Sequence, residues 1–212
     1  MIKGIITGDL VNSTDIAVQW RSTVKESLNA VLTDMVPLTT AKLEIYRGDS
    51  FQVLVDQVEH VLSVAIALRT KLRATTPENC EIWDARVSIG IGEVTYESET
   101  IVTSDGEAFR LSGRSFDQLG KKRLALVSPW NNFNEAIDLN TRFADDIISS
   151  LTTKQARVVY HSLLSQKKQK DMAKDLGMTN QNFNKLWLSS RGQLISDYIG
   201  YFKTLIEKHN PQ

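Results

Sequence analysis

With 212 residues, 42% of them hydrophobic and 24% charged, the chain has the composition of a globular protein that can fill a core. A single cysteine, Cys80, excludes an intramolecular disulfide, and the N-terminal apolar run is too short for a signal peptide or a membrane span. We therefore expect a cytoplasmic protein with no membrane partner. The formal charge is zero, but residues 151–212 carry ten lysines and arginines against four acids, a balance that suits nucleic acid.

The first half of the chain alternates strand and helix patterns. Residues 2–9 predict a buried strand, and residues 12–35 predict a helix capped by the polar cluster that follows Asp9. A hairpin is predicted around Gly48, because glycine tolerates the positive φ of a tight turn. Further apolar patterns predict a helix over 58–76, a strand over 84–98, a helix from Ala108 and a short strand over 123–128.

This order of elements predicts the fold class. The pattern β-α-β-β-α-β, followed by one more helix and strand, indicates an α+β fold in which a ferredoxin-like sheet packs against helices. Strand patterns stop near Asn131, and every later segment has helical spacing. We therefore predict an α+β domain over residues 1–130 and an all-α domain over 140–212, joined at 130–140.

Two aspartates stand where a metal site can form. Asp9 ends the first strand and Asp49 lies in the hairpin turn, and this topology favours a hairpin beside the first strand. Carboxylates are the ligands that hard cations prefer, so the pair predicts Mg²⁺ or Mn²⁺. The ordinary alternatives stay open, since Asp9 is also a common helix cap and Asp49 a common turn residue.

A phosphate site is predicted beside these aspartates. If a helix opens after the first strand, a phosphate can bind to the backbone N–H groups of Leu10, Val11, Asn12 and Ser13. Arg114, in the later helix, has the charge needed to neutralise a phosphate. Arg110 either adds to that positive charge or forms an ordinary surface salt bridge.

Four segments in order carry a resemblance to class III nucleotidyl cyclases: GDLVNST, RGDSFQVLV, VSIGIGEV and GEAFRLSGR, within about residues 1–128. The resemblance implies a cyclase-like fold that forms head-to-tail dimers with sites at the interface. It also implies that Asp9 and Asp49 ligate metal and that Arg114 faces phosphate.

Two positions depart from the cyclase pattern. Ile45 stands where the family has a base-selecting lysine, and Arg110 stands where its helix has an asparagine. An isoleucine cannot hydrogen-bond a purine edge, so the base-reading group is missing. The site is therefore predicted to bind a phosphorylated ligand more readily than to catalyse cyclisation.

Residues 169–187, QKDMAKDLGMTNQNFNKLW, have the spacing of a helix-turn-helix. Ala173 is small enough for the helix crossing, Gly177 supplies a positive φ in the turn, and Thr179 is placed to cap the second helix. The apolar clamp is predicted to consist of Met172, Leu176, Met178, Phe183 and Leu186. Because amides bond adenine edges and lysine reaches guanine or phosphate, the predicted DNA-binding residues are Thr179, Asn180, Gln181, Asn182, Asn184 and Lys185.

Residues 150–190 resemble the C-terminal helical region of sigma factors, in which a Leu-Thr-x-x-Gln helix precedes the bihelical unit. The alternative is a small helical bundle that packs on the first domain or on a partner. Taken together, the two halves resemble SatD-type proteins, a family that joins a cyclase-like N-terminal region to such a C-terminal region.

Three functional hypotheses follow. The first is a DNA-binding transcriptional regulator whose cyclase-like domain forms a homodimer and binds a phosphorylated small molecule with Mg²⁺. The second is a metal-dependent nucleotidyl cyclase or related nucleotide-processing enzyme with an accessory helical tail. The third is a scaffold in which both sites have decayed. The three histidines are scattered in helical contexts and are not expected to be ligands.

Overall fold

The computed structural model describes residues 1–46, 48–165 and 167–209. Arg47, which begins the motif RGDSFQVLV, lies outside the described residues. The described chain has an α+β fold. Its strands are β1 (Ile2–Leu10), β2 (Ala41–Tyr46), β3 (Ser50–Val55), β4 (Ala85–Tyr96), β5 (Asp105–Gly106) and β6 (Leu124–Val127). Its helices are α1 (Arg21–Met35), α2 (Val61–Thr75), α3 (Glu107–Asp117), α4 (Asn131–Ser150), α5 (Thr153–Leu164), α6 (Gln169–Asp175), α7 (Asn180–Ser189) and α8 (Gly192–His209).

Strand β1 occupies the middle of the sheet. It pairs antiparallel with β3 on one side and with β4 on the other, in the order β2-β3-β1-β4-β5, and β6 pairs in parallel with β4. The predicted β2–β3 hairpin is confirmed, with Gly48 at a φ of 85° in its turn. The register places Asp9 opposite Ser50 and Arg86, so the end of β1 lies beside the hairpin turn.

Successive side chains of β1 face opposite sides of the sheet. Ile6 belongs to the larger hydrophobic core, together with residues of α1 and α2, whereas Ile5 belongs to a smaller core with Ala108 of α3. Helix α3 packs so closely that a Cβ at Gly90 of β4 would lie 2.2 Å from the carbonyl oxygen of Ala108. Helices α1 and α3 therefore lie on opposite faces of the sheet.

The first helix begins later than the sequence pattern predicts. Two short 3-10 turns, Ser13–Asp15 and Val18–Trp20, precede α1, which starts at Arg21. Asn12 adopts a left-handed conformation with φ of 50°, and Ile16 is extended. Neither conformation can continue an α-helix, so the N–H groups that follow β1 do not open one.

Helix α4 runs through the position of the predicted domain boundary. Phe133 of α4 and Phe202 of α8 are fully buried in the same hydrophobic core that covers the sheet. The division into residues 1–130 and 140–212 stays a prediction, because the sheet and the helices share this core. No helix in the described ranges combines the length and the apolar character that crossing a bilayer requires.

A buried ion cluster also joins the sheet part to the helical part. Arg69 of α2 donates two hydrogen bonds to Asp84, at 2.9 and 2.8 Å, and one to Asp145 of α4 at 2.7 Å. Arg73, one turn later, donates to Asp84 at 2.9 Å. Burial alone would raise the pKa of Asp84, but the two guanidinium groups outweigh it and hold that pKa below its usual value.

Candidate functional site

The carboxylate of Asp9 is held by Arg86 of β4. Arg86 donates from Nε to Oδ1 at 2.9 Å and from Nη2 to Oδ2 at 2.5 Å. Its guanidinium carbon also lies 5.4 Å from the centre of the Phe116 ring of α3. The hydrogen bonds to Asp9 raise the pKa of Arg86. Both oxygens of Asp9 are therefore engaged by a cation on the α3 face of the sheet.

Asp49 has different neighbours. The Ser13 hydroxyl donates to its Oδ2 at 2.7 Å, and its backbone carbonyl accepts the N–H of Leu10 at 3.1 Å. Its side chain lines a pocket beside α1, on the sheet face away from α3. The structure brings the segments of Asp9 and Asp49 together, as expected, but the two carboxylates have separate partners.

The pocket beside Asp49 has a volume of about 290 Å³ and lies between the end of β1, the hairpin turn and α1. Two cations of α1, Arg21 and Lys25, line it together with Ser13 and Thr14. Two cationic groups in one pocket suit an anionic ligand. Sequence reasoning missed Arg21 and Lys25, although their spacing of one helical turn on an exposed helix face was the available signal.

Two of the four backbone N–H groups predicted to bind phosphate instead donate hydrogen bonds within the fold. The N–H of Leu10 donates to the carbonyl of Asp49, and the N–H of Val11 donates to the carbonyl of Asp84 at 2.9 Å. Ser13 contributes its hydroxyl to Asp49. Two of the four predicted N–H donors are thus committed to holding the end of β1 in place.

Arg110 and Arg114 lie on α3, across the sheet from this pocket. Arg110 is exposed and pairs with Asp105 at 3.0 Å, which agrees with the ordinary salt-bridge alternative. Arg114 is exposed in the last turn of α3. Neither arginine lines the pocket beside Asp49, so one copy of the chain does not bring them to it.

The fit of Mg²⁺ or Mn²⁺ to this arrangement is poor. Across residues 1–46, 48–165 and 167–209, no group of three or more His, Cys, Asp and Glu side chains is placed to hold a metal ion. A cation at Asp9 would share the carboxylate with Arg86 and would lie beside the like charge of its guanidinium. The arrangement fits an ion pair better than a metal centre.

A second candidate site is formed by α6 and α7. Gly177, at a φ of 66°, makes the turn between them, and the N–H of Met178 donates to the carbonyl of Ala173 at 2.9 Å. Thr179 caps α7 by accepting the N–H of Asn182 at 3.2 Å. The predicted clamp is found in one small core with Val158 of α5, whose members include Met172, Leu176, Met178, Phe183 and Leu186.

The N-terminal part of the outer face of α7 is polar and open to solvent, whereas Leu188 near the end of the helix is 76% exposed. Asn184 is half-buried, whereas the exposed members of the predicted DNA-binding set are Thr179, Asn180, Gln181, Asn182 and Lys185. Exposed lysines also lie on the neighbouring helix α6 or just before it, at Lys168, Lys170 and Lys174. Helix α7 is therefore free of the sheet and available to a partner.

Comparison with known proteins leaves the function open. No family model matches the chain, and no curated protein does. A solved structure of a bacterial light-regulated adenylyl cyclase is similar at 11% identity and a TM-score of 0.41, over 59% of this chain and 74% of that chain. A likeness at this level assigns neither an activity nor a ligand to this chain.

Proposed function

We propose that the chain is a cytoplasmic DNA-binding regulator in which α6 and α7 form a helix-turn-helix. The observation that carries the proposal is the exposed polar N-terminal part of α7 on a unit whose inner side is buried. A helix-turn-helix presents the N-terminal residues of its second helix to base edges, and Asn180, Gln181 and Asn182 stand at that position. The exposed lysines nearby have the charge that phosphate contacts need.

In this proposal the sheet part, residues 1–130, binds a phosphorylated small molecule in the pocket beside Asp49. Arg21 and Lys25 support this assignment, because they bring two positive charges to the lining of the pocket. The antiparallel order β2-β3-β1-β4, with helices after β1 and β3, supports a ferredoxin-like, cyclase-like domain. Arg114 could serve the pocket only from a second copy, as head-to-tail cyclase-like dimers would allow.

DNA binding is tested by fluorescence anisotropy with the full chain and promoter fragments of its own genome at low salt. We expect Asn182→Ala with Lys185→Ala to weaken binding by roughly tenfold or more, since a single base or phosphate interaction typically contributes about 1–3 kcal/mol. Lys121→Ala removes an equal charge from the exposed loop after α3 and is the matched control. Absence of any bound fragment for the intact protein would overturn the proposal.

The small-molecule pocket is tested separately by thermal unfolding. Pyrophosphate and nucleoside triphosphates, added without metal, should raise the melting temperature of the full chain, because a ligand bound by the folded state stabilises it. Replacing Arg21 and Lys25 together by alanine should remove the shift, whereas Lys121→Ala should keep it. Unchanged shifts in the double variant would place the ligand elsewhere.

A second candidate function is a metal-dependent nucleotide-processing enzyme. The observation in its favour is the hydrogen bond from Leu10 to Asp49, which joins the backbones of the two predicted metal segments. Ile45 and Arg110 disfavour this function, because they stand where class III cyclases have a base-selecting lysine and an asparagine. Incubation with each nucleoside triphosphate and Mn²⁺ distinguishes the two functions, since product that appears with the native chain and disappears in Asp9→Asn would favour the enzyme.

A further inference from the structure

Large apolar side chains are exposed along one groove between α4 and α8. Phe143 is 61% exposed, Leu194 56% and Tyr201 40%, and all three line the groove. Leu139, 52% exposed, lies one helical turn before Phe143 and extends the same stripe. Single exposed apolar residues are common, but a contiguous row of this kind marks an interaction surface.

The groove is preformed. Its lining includes Ala144 and Ile147 of α4 and Ile195 and Tyr198 of α8, all of them buried. The hydroxyls of Tyr198 and Thr141 lie 2.7 Å apart and fasten the two helices to each other. A partner that docks here meets two helices that are already packed together, so neither helix has to form on binding.

The rim of the groove carries both signs of charge. Asp146 lies 3.9 Å from Arg191, and Asp197 adds a further acid to the lining. Acids at the rim disfavour nucleic acid and anionic lipid. A second copy related by a two-fold axis is complementary, because Arg191 of each copy can then meet Asp146 or Asp197 of the other.

We infer that this groove is a homodimer interface, occupied by α4 and α8 of a second copy of the chain. It is distinct from the head-to-tail sheet contact that the cyclase resemblance implies. The interface does not depend on DNA binding. Because α8 follows α7 after a short turn at Arg191, the dimer would nevertheless couple the positions of two copies of α7.

The oligomeric state of the full chain tests this inference. Sedimentation velocity over about 1–100 µM should show a concentration-dependent dimer, as expected for self-association. Phe143→Asp should raise the dimer dissociation constant by roughly tenfold or more, because it buries a charge at the centre of an apolar contact. Val36→Asp, at a residue 69% exposed just after α1, is the matched control and should leave the dimer intact.

Thermal unfolding of each variant separates loss of the dimer from loss of the fold. Leu194→Asp is a second, independent probe from the opposite wall of the groove and should behave like Phe143→Asp. A chain that is monomeric throughout the concentration range would overturn the inference. So would a dimer that survives both groove variants, or one that Val36→Asp disrupts equally.

Discussion

Arg86 and Asp9 form a two-point ion pair at the end of the central strand, with hydrogen bonds of 2.9 and 2.5 Å. This pair occupies the carboxylate on which a metal site would depend. We predict that Mn²⁺ leaves the melting temperature of the native chain unchanged and raises that of Arg86→Ala, because only the variant lacks the guanidinium charge that repels a cation at Asp9. Differential scanning calorimetry with and without Mn²⁺ measures both shifts.

The double variant Arg86→Ala, Asp9→Asn is the control for this prediction, and it should lose the response to Mn²⁺. A shift in the native chain as large as that in Arg86→Ala would contradict the prediction. It would mean that the cation binds without competing with Arg86, and it would strengthen the enzyme alternative.

The second prediction concerns the contribution of the buried cluster around Asp84 to the free energy of unfolding. Asp84→Asn keeps the side-chain volume but leaves Arg69 and Arg73 without their shared carboxylate. Removing one partner of a buried ion pair costs about 3–5 kcal/mol, and we expect a loss of that size in the free energy of unfolding. Urea denaturation of both proteins provides the measurement.

An exposed pair of the same chain is the control for Asp84. Asp138 pairs with Arg142 one turn away on the surface of α4, where such pairs contribute less than about 1 kcal/mol. Asp138→Asn should therefore leave the free energy of unfolding almost unchanged. Equal effects of the two substitutions would show that the Asp84 cluster does not behave as a buried network.

Local patterns explain how much of this architecture could be predicted. The β2–β3 hairpin and the clamp around Phe183 follow from short-range spacing and turn chemistry, and the structure contains both. The pairing of Asp9 with Arg86 could not be read in this way. It depends on strand register between residues 77 positions apart, which no local pattern specifies.

Two other features lay beyond the local sequence pattern to different degrees. Asn12 adopts a φ of 50°, and α1 therefore begins later than the pattern predicts. The identity of the side chain alone does not predict this backbone conformation. Arg69 and Arg73, by contrast, left a visible signal. They stand one turn apart in a mostly apolar helix, where charged residues are rarely buried unless they have partners.

A pH dependence is expected from Glu97, which accepts from Lys3 at 2.6 Å and from Lys42 at 2.8 Å. These hydrogen bonds lower its pKa from 4.5 to about 2. A carboxyl whose folded pKa is depressed adds stability above its unfolded pKa, and that stability is lost as the pH falls through the folded value. Glu97→Gln should therefore be less stable than the native chain above pH 4.5, and the difference should vanish near pH 2.

Urea denaturation at several pH values measures the difference for Glu97→Gln. Glu135→Gln, on the first turns of α4, removes a charge of the same sign and is the comparison for general effects of net charge. The difference in free energy of unfolding between Glu97→Gln and the native chain could also persist unchanged down to pH 2. That result would contradict the assignment of the lowered Glu97 pKa to the lysine contacts.

Gly177 and Gly200 provide a matched pair for the turn between α6 and α7. A Cβ at either glycine would meet no atom within 4 Å, but Gly177 has a φ of 66° and Gly200 lies inside α8. Alanine at Gly177 should lower the free energy of unfolding by about 1 kcal/mol, because L residues avoid this conformation. Alanine at Gly200 should raise the free energy of unfolding by at most about 1 kcal/mol, because alanine has the higher helix propensity. Urea denaturation should therefore show opposite changes in the free energy of unfolding for the two variants. A change of the same sign in both would show that the turn does not require a positive φ.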